Sequence, residues 1–173
     1  PVGDVVGRSV PRLESAEKVT GRAQYTDDLQ RPGMLYGAVL GSPYAHARIL
    51  GIDTSAARAL PGVKAVLTAA DFPATRTGGF VHDQLPLARD KALYIGDPIA
   101  VVAATDLATA RAATLLIEVE FEELAPVLDA VAALAPDAPL VHDDRANYTA
   151  LYELPEHPNA VSHTGFREGD VEA

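Results

Sequence analysis

The sequence predicts a mixed α/β (α+β) fold, a small, strongly curved mixed sheet with two packed helices. Three observations carry this. Residues 99–104 are an unbroken apolar run, Ile-Ala-Val-Val-Ala-Ala, as expected of a strand covered on both faces. Residues 117–122, Ile-Glu-Val-Glu-Phe-Glu, alternate perfectly, which puts Ile117, Val119 and Phe121 on one buried face and three glutamates in water. Between the two, Asp106 stands ahead of a run of strong helix formers reaching Leu116, where its carboxylate can accept the free N–H groups of the first turn.

An earlier stretch follows the same order. Ile49, Leu50 and Ile52 make a strand, Asp53 or Thr54 caps a short helix through Leu60, Pro61-Gly62 stops it, and residues 63–68 form the return strand. The two units read as a coarse structural pseudo-repeat. Ahead of them, residues 1–20 lack periodicity and read as a surface arm. Residues 22–25 are a candidate strand, Arg31-Pro32-Gly33 a turn, and residues 35–40 a further strand. Residues 70–85 read as a long loop, a class that is usually functional or disordered. Gly96-Asp97-Pro98 reads as a turn, and residues 128–134 as a last short helix. Beyond His142 the chain turns polar and is broken by Pro155 and Pro158. The expected organisation is an arm over residues 1–20, one domain over residues 21–141, and a linker entering a further domain over residues 142–173.

Composition sets the outer limits. With 48% hydrophobic and 22% charged residues the chain has material for a core without covalent staples. It has no cysteine, which excludes disulfides, thiolate metal sites, a cysteine nucleophile and iron–sulfur ligation by these residues. A reducing, cytoplasmic setting is the expectation. The formal charge of −10, with no cluster of Lys or Arg, argues against nucleic acid as a partner. No apolar run approaches the ~20 residues of a membrane-spanning helix, so no membrane partner is expected.

The candidate sites are few. His46, His82, His142, His157 and His163 show no mutual spacing that would converge on a metal. His142-Asp143-Asp144 reads as a turn rather than a ligand cluster, and Glu118, Glu120 and Glu122 as a solvated strand face. Gly78-Gly79 is not followed by the residues of a phosphate loop, and no Gly-x-Ser-x-Gly elbow exists. The residues by themselves present no catalytic or metal-binding constellation.

An ordered set of phrases does carry a signature. Lys18-Val19-Thr20-Gly21-Arg22-Ala23-Gln24-Tyr25, Pro32-Gly33-Met34-Leu35-Tyr36, Ser42-Pro43-Tyr44-Ala45-His46-Ala47-Arg48-Ile49, Leu60-Pro61-Gly62-Val63, Pro86-Leu87-Ala88-Arg89-Asp90-Lys91 and Tyr94-Ile95-Gly96-Asp97-Pro98 follow one another. In this order they resemble the amino-terminal α/β hammerhead domain of xanthine dehydrogenase/aldehyde oxidase-type molybdenum hydroxylase large subunits, leaning towards the 4-hydroxybenzoyl-CoA reductase and xanthine dehydrogenase branches. The resemblance runs from about Gly7 to Val141. Residues 168–173 look like the family's entry into the next domain, so the chain is expected to be a piece of a longer subunit. Two departures are Gly41, where many members have arginine, and Leu124-Ala125-Pro126, where Leu-Pro is usual.

The resemblance implies an oxidoreductase that holds molybdenum on a pterin dinucleotide and passes electrons through [2Fe-2S] clusters to FAD. Its substrate would be an aldehyde or an aromatic or N-heteroaromatic compound. The expected partners are the downstream molybdopterin domains of the same subunit and the iron–sulfur and FAD subunits or domains. No catalytic, cofactor-binding or metal-binding residue carries over to this chain, which is expected to fold, turn over nothing and hold no cofactor by itself. One contribution to function does carry over: the loop before the Ala-Arg-Asp phrase borders the family's substrate funnel, and counting back from Ala88-Arg89-Asp90 places Phe80, Val81 and His82 there. A flexible surface loop is the alternative reading of those residues. For the whole chain the alternatives are a free-standing binding or interaction module of the same fold, and an unrelated acidic enzyme.

Overall fold

The computed structural model describes residues 7–166 together with residues 168 and 169, so residues 170–173 of the closing phrase lie outside the described residues. The chain divides into two compact units, Pro1–Met34 and Leu35–Ala173.

The first unit holds a short helix, α1 (Ser15–Val19), where the sequence suggested a featureless arm. The Glu14 carboxylate draws in Arg12 at 2.7 Å and Lys18 at 3.4 Å, and the latter is an i, i+4 pair that supports the turn. The strand expected over residues 22–25 does not form. The Tyr25 backbone N–H donates to the Asp28 carboxylate at 2.9 Å, at the head of a 3-10 turn over Thr26–Asp28. Its hydrogen bonding is thus satisfied locally rather than in a ladder.

The second unit contains β1 (Tyr36–Gly41), β2 (Ala47–Asp53), α2 (Ser55–Ala59), β3 (Val63–Thr68), β4 (Val81–His82), β5 (Lys91–Ala92), β6 (Pro98–Ala104), α3 (Leu107–Thr114), β7 (Glu118–Glu123) and β8 (Thr149–Ala150). The fold class is the mixed α/β one expected, but the strands are shared among three sheets of order β1-β6-β3, β5-β2-β7 and β4-β8. Every pairing is antiparallel, which corrects the single mixed sheet.

The two strand–helix–strand units are real, and neither pairs with itself. In each, the helix separates strands that go to different sheets: β2 of the first unit pairs with β7 of the second, while β3 pairs with β6. The core lies where α2 and α3 cover one face of the β1-β6-β3 sheet. Ala57, Ala110 and Ala113 of the helices are fully buried against Val66, Ala100, Val102 and Ala104. The alanines let the helices sit close to the sheet, with the larger Leu40, Leu60 and Val63 at the margin. Asp106 caps α3 as expected, accepting from the Thr109 N–H at 2.7 Å. The opposite face of the same sheet carries Val39, Val101 and Leu67 directly abreast, with Val39 58% and Leu67 37% exposed.

The β5-β2-β7 sheet follows the alternation read from the sequence. Glu118, Glu120 and Glu122 are solvated and Ile117 is buried, while Val119 and Phe121 are half-buried. Phe121 packs on Tyr44 with ring centroids 5.1 Å apart. Buried His46 donates from Nδ1 to the Ala125 carbonyl at 2.8 Å, fastening the segment after β7. The helix expected over residues 128–134 is reduced to a 3-10 turn, Ala132–Leu134. Asp129 Oδ1 caps that turn by accepting from the Ala132 N–H at 2.7 Å, and Leu128 and Val131 stand more than four-fifths exposed. A short apolar stripe with nothing to pack on has too little to stabilise a helix.

Gly41 has a steric reason. It lies at the irregular end of the β1–β6 ladder, and a Cβ there would come within 2.9 Å of the Gly96 backbone. Any side chain at this place would require that turn to move.

Candidate functional site

The loop singled out by sequence is a closed structure in this fold. Thr77 and Gln84 exchange backbone hydrogen bonds of 2.8 and 3.0 Å, so residues 78–83 form its tip. Gly78 permits the inward turn, because a Cβ there would overlap the Val81 carbonyl. Val81 is buried and Phe80 is 70% exposed, with His82 half-buried. Alternation along the short strand β4 sets Phe80 and His82 on one side and Val81 on the other. The three predicted residues are therefore brought to one place but do not share one surface: Val81 anchors, while Phe80 presents its ring to solvent. The reading of residues 70–85 as an irregular loop is corrected to this extent, since β4 pairs with β8 through Val81 with Ala150 and His82 with Thr149.

Beside the loop lies a cleft of about 790 Å³ floored by the Pro86-to-Lys91 phrase and the Gly96-Asp97-Pro98 turn. The Arg89 guanidinium donates to the Ala69 and Phe72 carbonyls at 2.6 and 2.8 Å, tying the start of the loop to this floor. Asp97 accepts the Leu93 N–H at 2.8 Å, and burial pushes its carboxyl above the usual aspartate range.

The far wall is the trailing segment, which the sequence treated as a linker. His142-Asp143-Asp144 is a turn, as expected; Asp143 reaches Lys91, while His142 and Asp144 both meet the Tyr148 hydroxyl. Asp143 meets Lys91 at 2.7 Å, and this contact holds its carboxyl below the usual range. Asp144 is ion-paired with Arg76 and accepts from the Tyr148 hydroxyl at 2.8 Å. Because an ionised carboxylate only accepts, the Tyr148 proton points to Asp144, and the 2.6 Å contact is the His142 Nδ1–H donating to the Tyr148 oxygen. Burial lowers the His142 pKa and raises that of Tyr148, so both are neutral near pH 7. The Arg76 guanidinium lies 4.9 Å from the Tyr148 ring centre. None of these residues was singled out by sequence apart from the turn itself. Arg76 and Asp144 are 68 residues apart, and no local pattern signals such a pair.

The second unit, then, is a small α/β fold with an exposed apolar row on one sheet face and one closed loop. Residues 20–125 match the family model described as "Aldehyde oxidase and xanthine dehydrogenase, a/b hammerhead domain", and the chain belongs to that family. It is 40% identical over 158 residues to the carbon monoxide dehydrogenase large chain of Afipia carboxidovorans, covering 87% of this chain and 19% of the relative. Identity is 41% over 135 residues to the large chain of nicotine 6-hydroxylase from Paenarthrobacter nicotinovorans, covering 73% and 16%. Among solved structures, a Cu,Mo-containing CO dehydrogenase superposes with a TM-score of 0.71 at 42% identity, over 80% of this chain and 18% of the other. The chain thus spans less than a fifth of the length of each of these relatives.

Among the described residues no three His, Asp or Glu side chains gather to hold a metal ion, and the chain has no cysteine. Among the described residues, no helix is long and apolar enough to cross a membrane.

Proposed function

We propose that this chain is the scaffold domain of the large subunit of a molybdenum hydroxylase, acting on an aldehyde or a flat aromatic or N-heteroaromatic substrate, with the chemistry performed by other domains. The observation that carries the reading is the β1-β6-β3 sheet, which is packed on one face and carries an exposed apolar row on the other. Val39, Val101 and Leu67 form an apolar row with neighbours of alanine and glycine, a surface suited to burial against another domain. The domain occupying it in this reading is the molybdopterin-binding part of the same subunit, with iron–sulfur and FAD units beyond it. The limits proposed for the domain are residues 21–141, with residues 142–173 leading onward.

The test is assembly. Val39→Lys with Leu67→Lys changes only the bare face, so the chain should keep its thermal transition yet fail to assemble with co-expressed molybdopterin domains. Undiminished assembly would refute the scaffold face.

The Phe80 loop is the proposed contact with substrate, because an exposed aromatic ring on a closed loop can stack on a flat substrate at an entrance. Phe80→Ala in the subunit should lower kcat/KM for two-ring substrates several-fold more than for a small aldehyde. Equal effects on both would remove Phe80 from the funnel.

A further inference from the structure

We propose that residues 141–151 form a strap that fixes the loop bearing Phe80, and that Arg76, Asp144 and Tyr148 are positioning residues for that ring. The proposal rests on the reading of Phe80 as a substrate contact. It goes beyond that reading by assigning a role to residues far from the loop in sequence.

Three observations support the strap. First, β8 lies along β4, and the Leu151 N–H donates to the Phe80 carbonyl at 2.9 Å, so the strap grips the residue that carries the ring. The register places Leu151, 73% exposed, abreast of Phe80 on the same face. Second, the Arg76 guanidinium touches both partners. One nitrogen donates to the Asp83 carbonyl inside the loop at 2.7 Å, and the other pairs with Asp144 in the strap. A planar fork suits two acceptors in fixed directions, which a lysine ammonium does not reproduce. Third, the strap is braced from within. Tyr148 lies under the guanidinium and orients Asp144, while His142 orients Tyr148. A separate anchor, Lys91 to Asp143 and to the Val141 carbonyl, fixes the other end of the strap to the cleft floor.

A two-residue pairing such as β4–β8 is too short to persist alone. Its persistence therefore depends on the ion pair and the hydroxyl relay, and the mobility of Phe80 follows from them. Substrates large enough to touch the ring should sense the strap, and small ones should not.

The experiment has two arms. In the chain itself, Arg76→Lys, Asp144→Asn and Tyr148→Phe should each speed amide exchange at His82, Thr149 and Leu151 by about tenfold or more, with Val102 and Ala103 of the central strand β6 as unchanged controls. Unchanged exchange at these three amides would overturn the strap. In the assembled enzyme, the same variants should raise KM for a two-ring N-heteroaromatic substrate several-fold and leave kcat for a small aldehyde within about twofold. A selectivity change with Phe80→Ala but none with the strap variants would overturn the positioning role and leave the funnel reading intact. No change with Phe80→Ala would end the funnel reading and the positioning role with it, while the exchange arm still decides the strap.

Discussion

At Gly41 a side chain and this fold are in conflict, and the conflict is measurable. A methyl group placed there meets the Gly96 backbone, which cannot swing aside as a side chain would. Gly41→Ala is expected to cost about 1–3 kcal/mol in chemical denaturation, the usual range for overpacking. His142 supplies a second residue-scale expectation. Burial lowers its pKa against the pull of Asp83 and Asp144, with Arg76 and Lys91 adding to the lowering. Below about pH 6.5 the unfolded histidine takes up a proton that the folded one resists, so stability falls as pH drops from there towards the folded value. Denaturation midpoints between about pH 7.5 and 5.5 should show this fall, and His142→Gln should flatten it. Asp106 behaves in the opposite ionic sense. Its carboxyl is held low chiefly by the Thr109 N–H, so its contribution is present above the unfolded aspartate value and is lost as pH falls through the folded one. Asp106→Ala should lower Tm at neutral pH, and the loss should shrink as pH falls below about 3.9.

Single elements show what was legible in the sequence. Strands β2, β3, β6 and β7 and helices α2 and α3 could be read because periods of 2 and 3.6 are local properties. β6 was visible as an apolar run and β7 as an alternation, and Asp106 announced α3. The misreadings share a cause. Residues 128–134 have helix formers but no surface to cover, and residues 22–25 have one strand former, Tyr25, whose backbone N–H is taken by Asp28. Propensity is decided by what lies opposite, and the sequence does not show that. Pairing was invisible for the same reason: nothing in β2 says that it meets β7 rather than β3. At the site, motif spacing reached Phe80 but not Arg76 or Asp144, whose meeting depends on the return of a segment read as a linker. At this scale Val102, fully buried in the central strand between both neighbours and under α3, is the sensitive position. Val102→Ala is expected to cost about 2 kcal/mol, read from the denaturant midpoint at constant slope.

Across the second unit, the arrangement is one of unequal faces. The helices close one side of the first sheet with small residues, and the other side is left with a row of branched ones. A face of this kind is stable in water only as a modest patch, which is why its natural setting in the proposed function is against another domain. The packed side gives the unit a core of its own. In the proposed function the other side is covered by another domain, and more than four-fifths of each relative lies outside the part that this chain matches.

The exchange of strands between the two strand–helix–strand units has its own consequence. Each unit alone would own a helix and two strands that do not touch each other, so neither half has a nucleus of its own. The domain behaves as an internal dimer, each half completed only by the other. A backbone cut in the connection between β3 and β6 would leave two pieces that are disordered apart and fold on mixing, whereas deleting either piece would unmake both sheets at once.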